Sequence, residues 1–428
     1  MPRVVENKLL REKVYCYRTE VGLDVFVVPK KGYNKKYATY STNFGSINSR
    51  FVVEGEGQEV EVPDGVAHFL EHKLFEDEEG NVFDRFAALG ASSNAFTGST
   101  HTTYLFSTTE NFTRCLEILL DFVQTPYFTD ESVEKERGII EQEIRMYEDD
   151  PGWRIYYNLL GALYQKHPVK KDIAGSVESI RQITKDVLYQ CYRTFYHPSN
   201  MILFVVGDVD AQSIFKQVEN NLKKYNYRPL GEIKNIFPSE PEAIAESYVE
   251  QRLAVSQPML DLGFKELDVG YDGKPLLRRE IVTSLMLEIV FGHSSRLINE
   301  LYEKGLVNDD FDVAYVAEIG YGHSIIGGET TDPQKLLEEL TAGIKRAQKE
   351  GIKEEVFEHH RRKRMGEFIK SFNTLEYIAN YGGYHFRGIN FFDYLQVMQD
   401  ITVKDVNERL HEHLNSRNMA CSVILPVD

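Results

Sequence analysis

The sequence predicts an α+β fold of two homologous domains, each a sheet covered by helices, and three observations carry that expectation. Strand-like alternation and helical spacing succeed one another in both halves of the 428 residues. The stretch from Tyr225 to Glu246, with Pro229, Pro238, Pro241 and Gly231, has no sustained periodicity and reads as a linker near the middle. A local pattern also recurs across it. Ile183-Thr184-Lys185-Asp186-Val187 precedes His197-Pro198-Ser199-Asn200-Met201 and an apolar strand, and Ile401-Thr402-Val403-Lys404-Asp405-Val406 precedes Asn415-Ser416-Arg417-Asn418-Met419 and another. Asn200 and Asn418 lie about half the chain apart, as a duplicated domain requires. The expected division is 1–225, a linker over 226–245, and 246–428, for a chain too long to close over one ordinary core.

The elements follow in order. Leu23 to Val28 and Tyr37 to Phe44 have the alternation and β-branched content of strands. Val66 to Phe75 reads as a short helix with Asp64 ahead of it as N-cap. From Phe112 to Val123, the residues Cys115, Leu116, Leu119, Leu120 and Val123 share one helical face. Asp130 to Tyr147 forms a longer helix, with Asp130 as its expected N-cap and Pro151 just beyond its end. Helical patterns around 153–164 and 185–195, a strand from Met201 to Val206 and a helix near 210–224 complete the first half.

Composition narrows the function. A formal charge of -17, from 49 basic and 66 acidic residues, argues against nucleic-acid binding because it repels phosphate. The apolar runs are strand-sized, so no membrane span is expected, and no signal peptide is visible after Met1. Cys16, Cys115, Cys191 and Cys421 are scattered without a Cys-x-x-Cys pair, which suits core thiols in a reducing compartment; the cytoplasm is the expected location.

The chemistry lies in His68-Phe69-Leu70-Glu71-His72. Residues four apart on a helix share a face, so both imidazoles can converge on one ion, with Glu71 flanking them. Chance would give about 0.03 copies of this pattern in a chain of this composition. Zinc fits such ligands, keeps a position open for water and acidifies that water, and a nearby carboxylate takes the proton as the water attacks. His-x-x-Glu-His is the inverted zinc-peptidase motif. A third ligand must come from another element. The acidic helix over 130–147 offers Glu136 and Glu143, two turns apart on one face with Ile140, one as ligand and one as support; spacing does not choose between them.

These segments resemble the pitrilysin/insulinase family of zinc peptidases, which includes the mitochondrial processing peptidases. The family pairs this motif with a later glutamate and another seven positions before it. The resemblance implies Glu143 as third zinc ligand and Glu136 as supporting acid, beside His68, His72 and the base Glu71. Ser93-Asn94-Ala95-Phe96-Thr97 is similar to the family's Asn-Ala-x-Thr strand, which implies that Asn94 helps hold substrate. Asp149-Asp150-Pro151 and the stretch from Tyr196 through Met201 to Asp208 also match. The implied fold is processing-peptidase-like, with two mostly antiparallel sheets and no metal in the second domain.

One departure matters. Active relatives usually carry an Arg and, about two helical turns later, a Tyr that reach the substrate carbonyl; the matching run here has Tyr302 and Asn308 instead. Arg296 and Tyr315 are nearby, but no spacing nominates them. The resemblance therefore implies a zinc peptidase that acts on peptides or unfolded segments with a similar two-domain subunit, as a homo- or heterodimer closing around an extended peptide. The rival reading is a recognition or structural subunit of the same fold without turnover. Elsewhere, the basic run His359 to Arg364 reads as a solvated helix face. Gly320, Gly322, Gly327 and Gly328 read as tight passages in a sheet. His101, His167 and His197 read as structural or surface histidines.

Overall fold

A computed structural model describes residues 2–55, 57–78 and 80–427. Contacts divide the chain into two units, neither of them continuous in sequence. One comprises Met1–Ile144, Lys171–Phe237 and Ile369–Phe386; the other comprises Arg145–Lys170, Pro238–Phe368 and Arg387–Asp428.

The first unit is built on a seven-stranded sheet. Its strands are β1 (Arg3–Asn7), β2 (Glu12–Arg18), β3 (Asp24–Pro29), β4 (Lys36–Thr42), β5 (Ser92–Thr97), β6 (Thr102–Thr108) and β7 (Met201–Gly207). They lie in the order β1-β2-β3-β7-β4-β6-β5, and only β7 and β3 pair in parallel. All seven residues of β7 are buried, which explains its unbroken apolar run: a strand covered on both faces has no polar side to alternate with. At the opposite extreme, β5 is the sheet edge and alternates between exposed and half-buried residues. Helix α1 (Val66–Leu74) packs on β5 and β6, with Phe69 and Leu70 fully buried beneath it. Further on are α2 (Asp130–Asp149), α3 (Pro151–Leu163), which belongs to the second unit, and α4 (Lys185–Phe195), which packs against α1.

The second unit holds β8 (Tyr248–Leu253), β9 (Met259–Lys265), β10 (Asp312–Ala317), β11 (Gly322–Glu329) and β12 (Met419–Pro426). Their order, β8-β12-β9-β11-β10, repeats β3-β7-β4-β6-β5, and its parallel pair, β12 with β8, falls at the same place. Helices α5 (Gly273–Phe291) and α6 (Val403–His413) pack together, with α5 on β10 as α1 lies on β5. The recurring sequence pattern proves to be a recurring hydrogen-bond pattern. Thr184 caps α4 by accepting from the Val187 N–H, and Thr402 caps α6 by accepting from the Asp405 N–H. The Asn200 amide donates to the Phe195 carbonyl at 2.9 Å, and the Asn418 amide donates to the His413 carbonyl at 3.1 Å.

A single cut through the linker does not follow the contacts, because each sheet is covered partly by chain from the other half of the sequence. The short helix Leu375–Ala379 packs on β4 and β7 of the first unit, and the Lys30 ammonium donates to the Phe372 carbonyl at 2.7 Å. Conversely, α3 packs on β9 and β12 of the second unit. There a Cβ on Gly263 would stand 2.9 Å from the Leu159 methyl groups, so the helix requires a glycine in the strand beneath it. The linker is itself structured. Ile233–Asn235 pairs with Arg50–Val53, and Glu240 accepts the N–H groups of Gln165, Lys166 and His167.

Two expected caps are corrected. The α1 N-cap is Gly65, with φ of 89°, rather than Asp64, whose carboxylate accepts from Lys171 instead. At the start of α2, Thr129 accepts from the Ser132 N–H, so the cap lies one residue before Asp130. In both cases the capping position is set by how the chain enters the helix. Gly322, Gly327 and Gly328 lie within β11, and a Cβ on Gly327 would sit 2.0 Å from the Leu260 carbonyl oxygen; Gly320 precedes that strand. The stretch Gly273–Glu303 is apolar and long enough to cross a membrane by composition, but Leu276, Leu277, Leu285 and Met286 are core residues of the second unit.

Candidate metal centre

Helix α1 is fixed at its first turn. Only glycine takes the left-handed conformation of residue 65 cheaply, and a Cβ there would lie 2.4 Å from the Ala174 carbonyl oxygen. With Phe69 and Leu70 buried on one face, His68 and His72 are presented together on the next, their ring centroids 4.6 Å apart. Helix α2 is anchored by Val133, Ile140 and Ile144, which places Glu136 and Glu143 on the face that meets them. His68 Nε2 lies 3.7 Å from Glu143 Oε1, and His72 Nε2 lies 3.6 Å from Glu143 Oε2. The structure thus brings His68, His72 and Glu143 together, with one ligand atom of each within 4.8 Å of the others.

The donor set fits a zinc ion. Separations of 3.6 and 3.7 Å are too long for hydrogen bonds, yet they approach the edge of about 3.4 Å between ligands in a tetrahedral zinc shell. His68 turns Nε2 to Glu143, while its Nδ1 is buried on the other side of the ring. Glu136 Oε1 is 3.0 Å from His72 Nδ1. An N–H on that nitrogen leaves Nε2 with its lone pair directed at the cluster.

Electrostatics sort these groups. Burial, reinforced by the neighbouring His72, pushes the His68 pKa down to about 3, so this imidazole is neutral and competent as a ligand. Burial also lowers the pKa of His72, but its hydrogen bond with Glu136 and the charges of Glu143, Glu136 and Glu71 outweigh it and leave the pKa raised. The same carboxylates would favour any cation placed there. Burial pushes the Glu71 carboxyl up, against the opposing pull of the Thr97 hydrogen bond and of His72.

Glu71 lines a cavity of about 740 Å³ whose walls also include His72, Phe75, Phe83, Asn94 and Ile139. Of this lining, Phe83 and Ile139 are large apolar residues left exposed. Asn94 lies on the edge strand β5, half-way along it, and its side chain accepts from the Ala95 N–H. Thr97 was not singled out by sequence spacing, yet its hydroxyl donates to Glu71 Oε2 at 2.6 Å. Only the motif itself, three positions after Asn94, held that information.

The second unit brings no comparable group together among the described residues. Tyr302 is exposed on the helix Arg296–Glu303, and the Asn308 amide donates to Glu329. Arg296 pairs with Glu300, and the Tyr315 hydroxyl donates to Glu266.

Two histidines and a glutamate are thus gathered in one unit of a duplicated α+β fold, on the inverted His-x-x-Glu-His motif. Comparison with known proteins gives the family. The family model "Insulinase (Peptidase family M16)" matches residues 51–177, and "Peptidase M16 inactive domain" matches residues 182–364. The chain is 46% identical over 427 residues to the uncharacterized zinc protease YmfH of Bacillus subtilis, covering 100% of both chains. It belongs to the insulinase family, peptidase family M16. A solved structure described as an M16-like peptidase, from Alicyclobacillus acidocaldarius, is 40% identical, has a TM-score of 0.95 and is matched over 99% of this chain and 100% of its own. The periplasmic protease PqqL of Escherichia coli shares the fold at 18% identity and a TM-score of 0.77; this chain matches over 96% of its own length and spans 47% of PqqL.

Proposed function

We propose that this chain is a zinc metalloendopeptidase that hydrolyses peptides or unfolded segments. The observation that carries the reading is the convergence of His68, His72 and Glu143 beside Glu71, which with His72 lines an open cavity. His68 and His72 would hold zinc through Nε2 and Glu143 through its carboxylate, with Glu136 fixing the tautomer of His72. Bound there, zinc would polarise the scissile carbonyl and acidify the attacking water. Glu71 takes the proton from that water and delivers it to the departing amine nitrogen, a transfer suited to a carboxyl raised by burial. Substrate pairs as an added strand along the free edge of β5, where Asn94 meets it. The names of the relatives, zinc proteases, support both the metal and the reaction class.

A companion subunit completes the proposal. Tyr302 and Asn308 stand where active relatives carry Arg and Tyr, so a second, similar two-domain chain supplies those groups and closes over the peptide. That the chain spans about half of PqqL supports such pairing. The four cysteines are free, which supports the cytoplasm as its compartment. The test is to measure bound zinc and peptide cleavage for the purified chain, alone and with candidate companion chains. About one zinc per chain and cleavage that appears on pairing support the reading. Zinc without cleavage in every pairing favours a recognition subunit, and a chain that takes up no zinc overturns the proposal.

A further inference from the structure

We infer that Thr97 is a positioning residue that assigns separate tasks to the two oxygens of Glu71. This rests on the peptidase reading above. The Thr97 hydroxyl lies 2.6 Å from Glu71 Oε2, a short, charge-assisted contact. An ionised carboxylate only accepts, so the single hydroxyl proton of Thr97 belongs to this bond.

The surroundings hold it in that sense. Thr102, on the neighbouring strand β6, pairs with Thr97 across the antiparallel register. Its hydroxyl donates to the Phe44 carbonyl at 2.9 Å and stands 3.3 Å from Thr97 Oγ1. Thr102 is fully buried, and Phe44 is a core residue, so this end of the chain of hydroxyls does not move with solvent. With the Thr102 hydroxyl proton given to the Phe44 carbonyl, the Thr97 hydroxyl keeps one donor direction, toward Glu71.

The consequence is chemical. With Oε2 committed to Thr97, Oε1 is the oxygen left to face the cavity that Glu71 lines. When the attacking water gives up its proton, the proton goes to Oε1 and later leaves from Oε1 to the departing amine. Oε2 keeps the Thr97 hydrogen bond throughout, because the protonated carboxyl still accepts at its unprotonated oxygen. The carboxylate thus cycles without rotating. Sequence parity alone would not suggest this: side chains along β5 alternate in direction, so Thr97 and the exposed Asn94 leave opposite faces of the strand.

The test compares Thr97→Val, which keeps the shape and removes the donor, with Thr97→Ser, which restores it. In the wild-type pairing that cleaves peptide, Thr97→Val is expected to lower kcat by about tenfold to a hundredfold, with KM and zinc content unchanged, because a misaimed base loses its alignment with the reacting atoms. Thr97→Ser is expected to recover kcat to within about threefold of wild type. Unchanged kcat in Thr97→Val, or a Ser variant as impaired as Val, would overturn the assignment. A loss of zinc in parallel with activity would also overturn it, since the role would then be structural. A second readout does not depend on turnover: crystal structures of both variants are expected to show the Glu71 carboxylate rotated away in Thr97→Val and in place in Thr97→Ser. An unmoved carboxylate in Thr97→Val contradicts the inference even if the protein proves to have no peptidase activity.

Discussion

The two units share a sheet order and a helix against the outer strand, but they use the space around that helix in opposite ways. In the first, α1 presents His68 and His72 with Glu143 at separations that no hydrogen bond closes. In the second, the corresponding region around α5 and α6 is filled by charges that satisfy one another. Arg409 of α6 pairs with the buried Glu266, which also accepts from Tyr315 and Arg279 of α5, and His413 bonds Ser324 of β11. One copy of the fold gathers two imidazoles and a carboxylate at ligand-to-ligand spacing; the other ties its buried charges to one another. The second unit keeps a polar interior because its buried charges gain partners.

That contrast can be broken at either end. The largest effect is expected from Glu143→Gln, which removes the carboxylate that faces both imidazoles. Zinc affinity should fall by about a hundredfold or more, read by metal content after dialysis. Retained zinc would mean that the cluster is not the metal site. Producing residues 1–225 alone comes next. That fragment lacks the Ile369–Phe386 segment, whose Ile378 and Ala379 are fully buried in the native chain, and it strands the Lys30 ammonium without the Phe372 carbonyl. It should be insoluble or lack cooperative unfolding, whereas co-production with residues 226–428 should restore a soluble complex.

Glu266→Gln should destabilise the protein by about 3–5 kcal/mol, because Arg409 is left buried without its counter-charge, while zinc content stays unchanged. The pH dependence points the same way. Burial pushes the Glu266 carboxyl up, but Arg409, His413 and the hydrogen bond from Tyr315 outweigh it and bring the pKa down to about 2. A carboxyl held below its unfolded value stabilises the fold above that value. Its contribution, on the order of 3 kcal/mol, should therefore be present above about pH 4.5 and fade as the pH falls toward 2. Denaturant unfolding at a series of pH values reads this, and a Glu266→Gln variant with the same acid profile as wild type would contradict it. The smallest effect is expected from Asn94→Ala: KM raised by a few fold with kcat little changed, since strand pairing is carried mainly by backbone groups. Unchanged KM would remove Asn94 from the substrate site.

Much of this was legible in the sequence, for reasons that differ by residue. The His68 and His72 pairing follows from helical spacing, and the positions of β7 and β12 from apolar runs that alternate with nothing. The choice of Glu143 over Glu136 did not follow from spacing, because both occupy one face; it depends on how far along α2 the helix α1 meets it. The exchange of α3 and the 369–386 segment was also not legible, since covering another sheet leaves the same amphipathic pattern as covering one's own. Thr97 was hidden for a third reason: a hydroxyl on a strand carries no periodicity of its own, and its role appears only once Glu71 is in reach.

The most direct test of the account is the comparison of wild type with Glu71→Gln under conditions where wild type cleaves peptide. The account predicts about one zinc per chain in both proteins, with cleavage reduced by three orders of magnitude or so in the variant, because the ligands are intact and only the proton acceptor is gone. Cleavage retained within about tenfold, with zinc still bound, would contradict the assignment of Glu71 as the base.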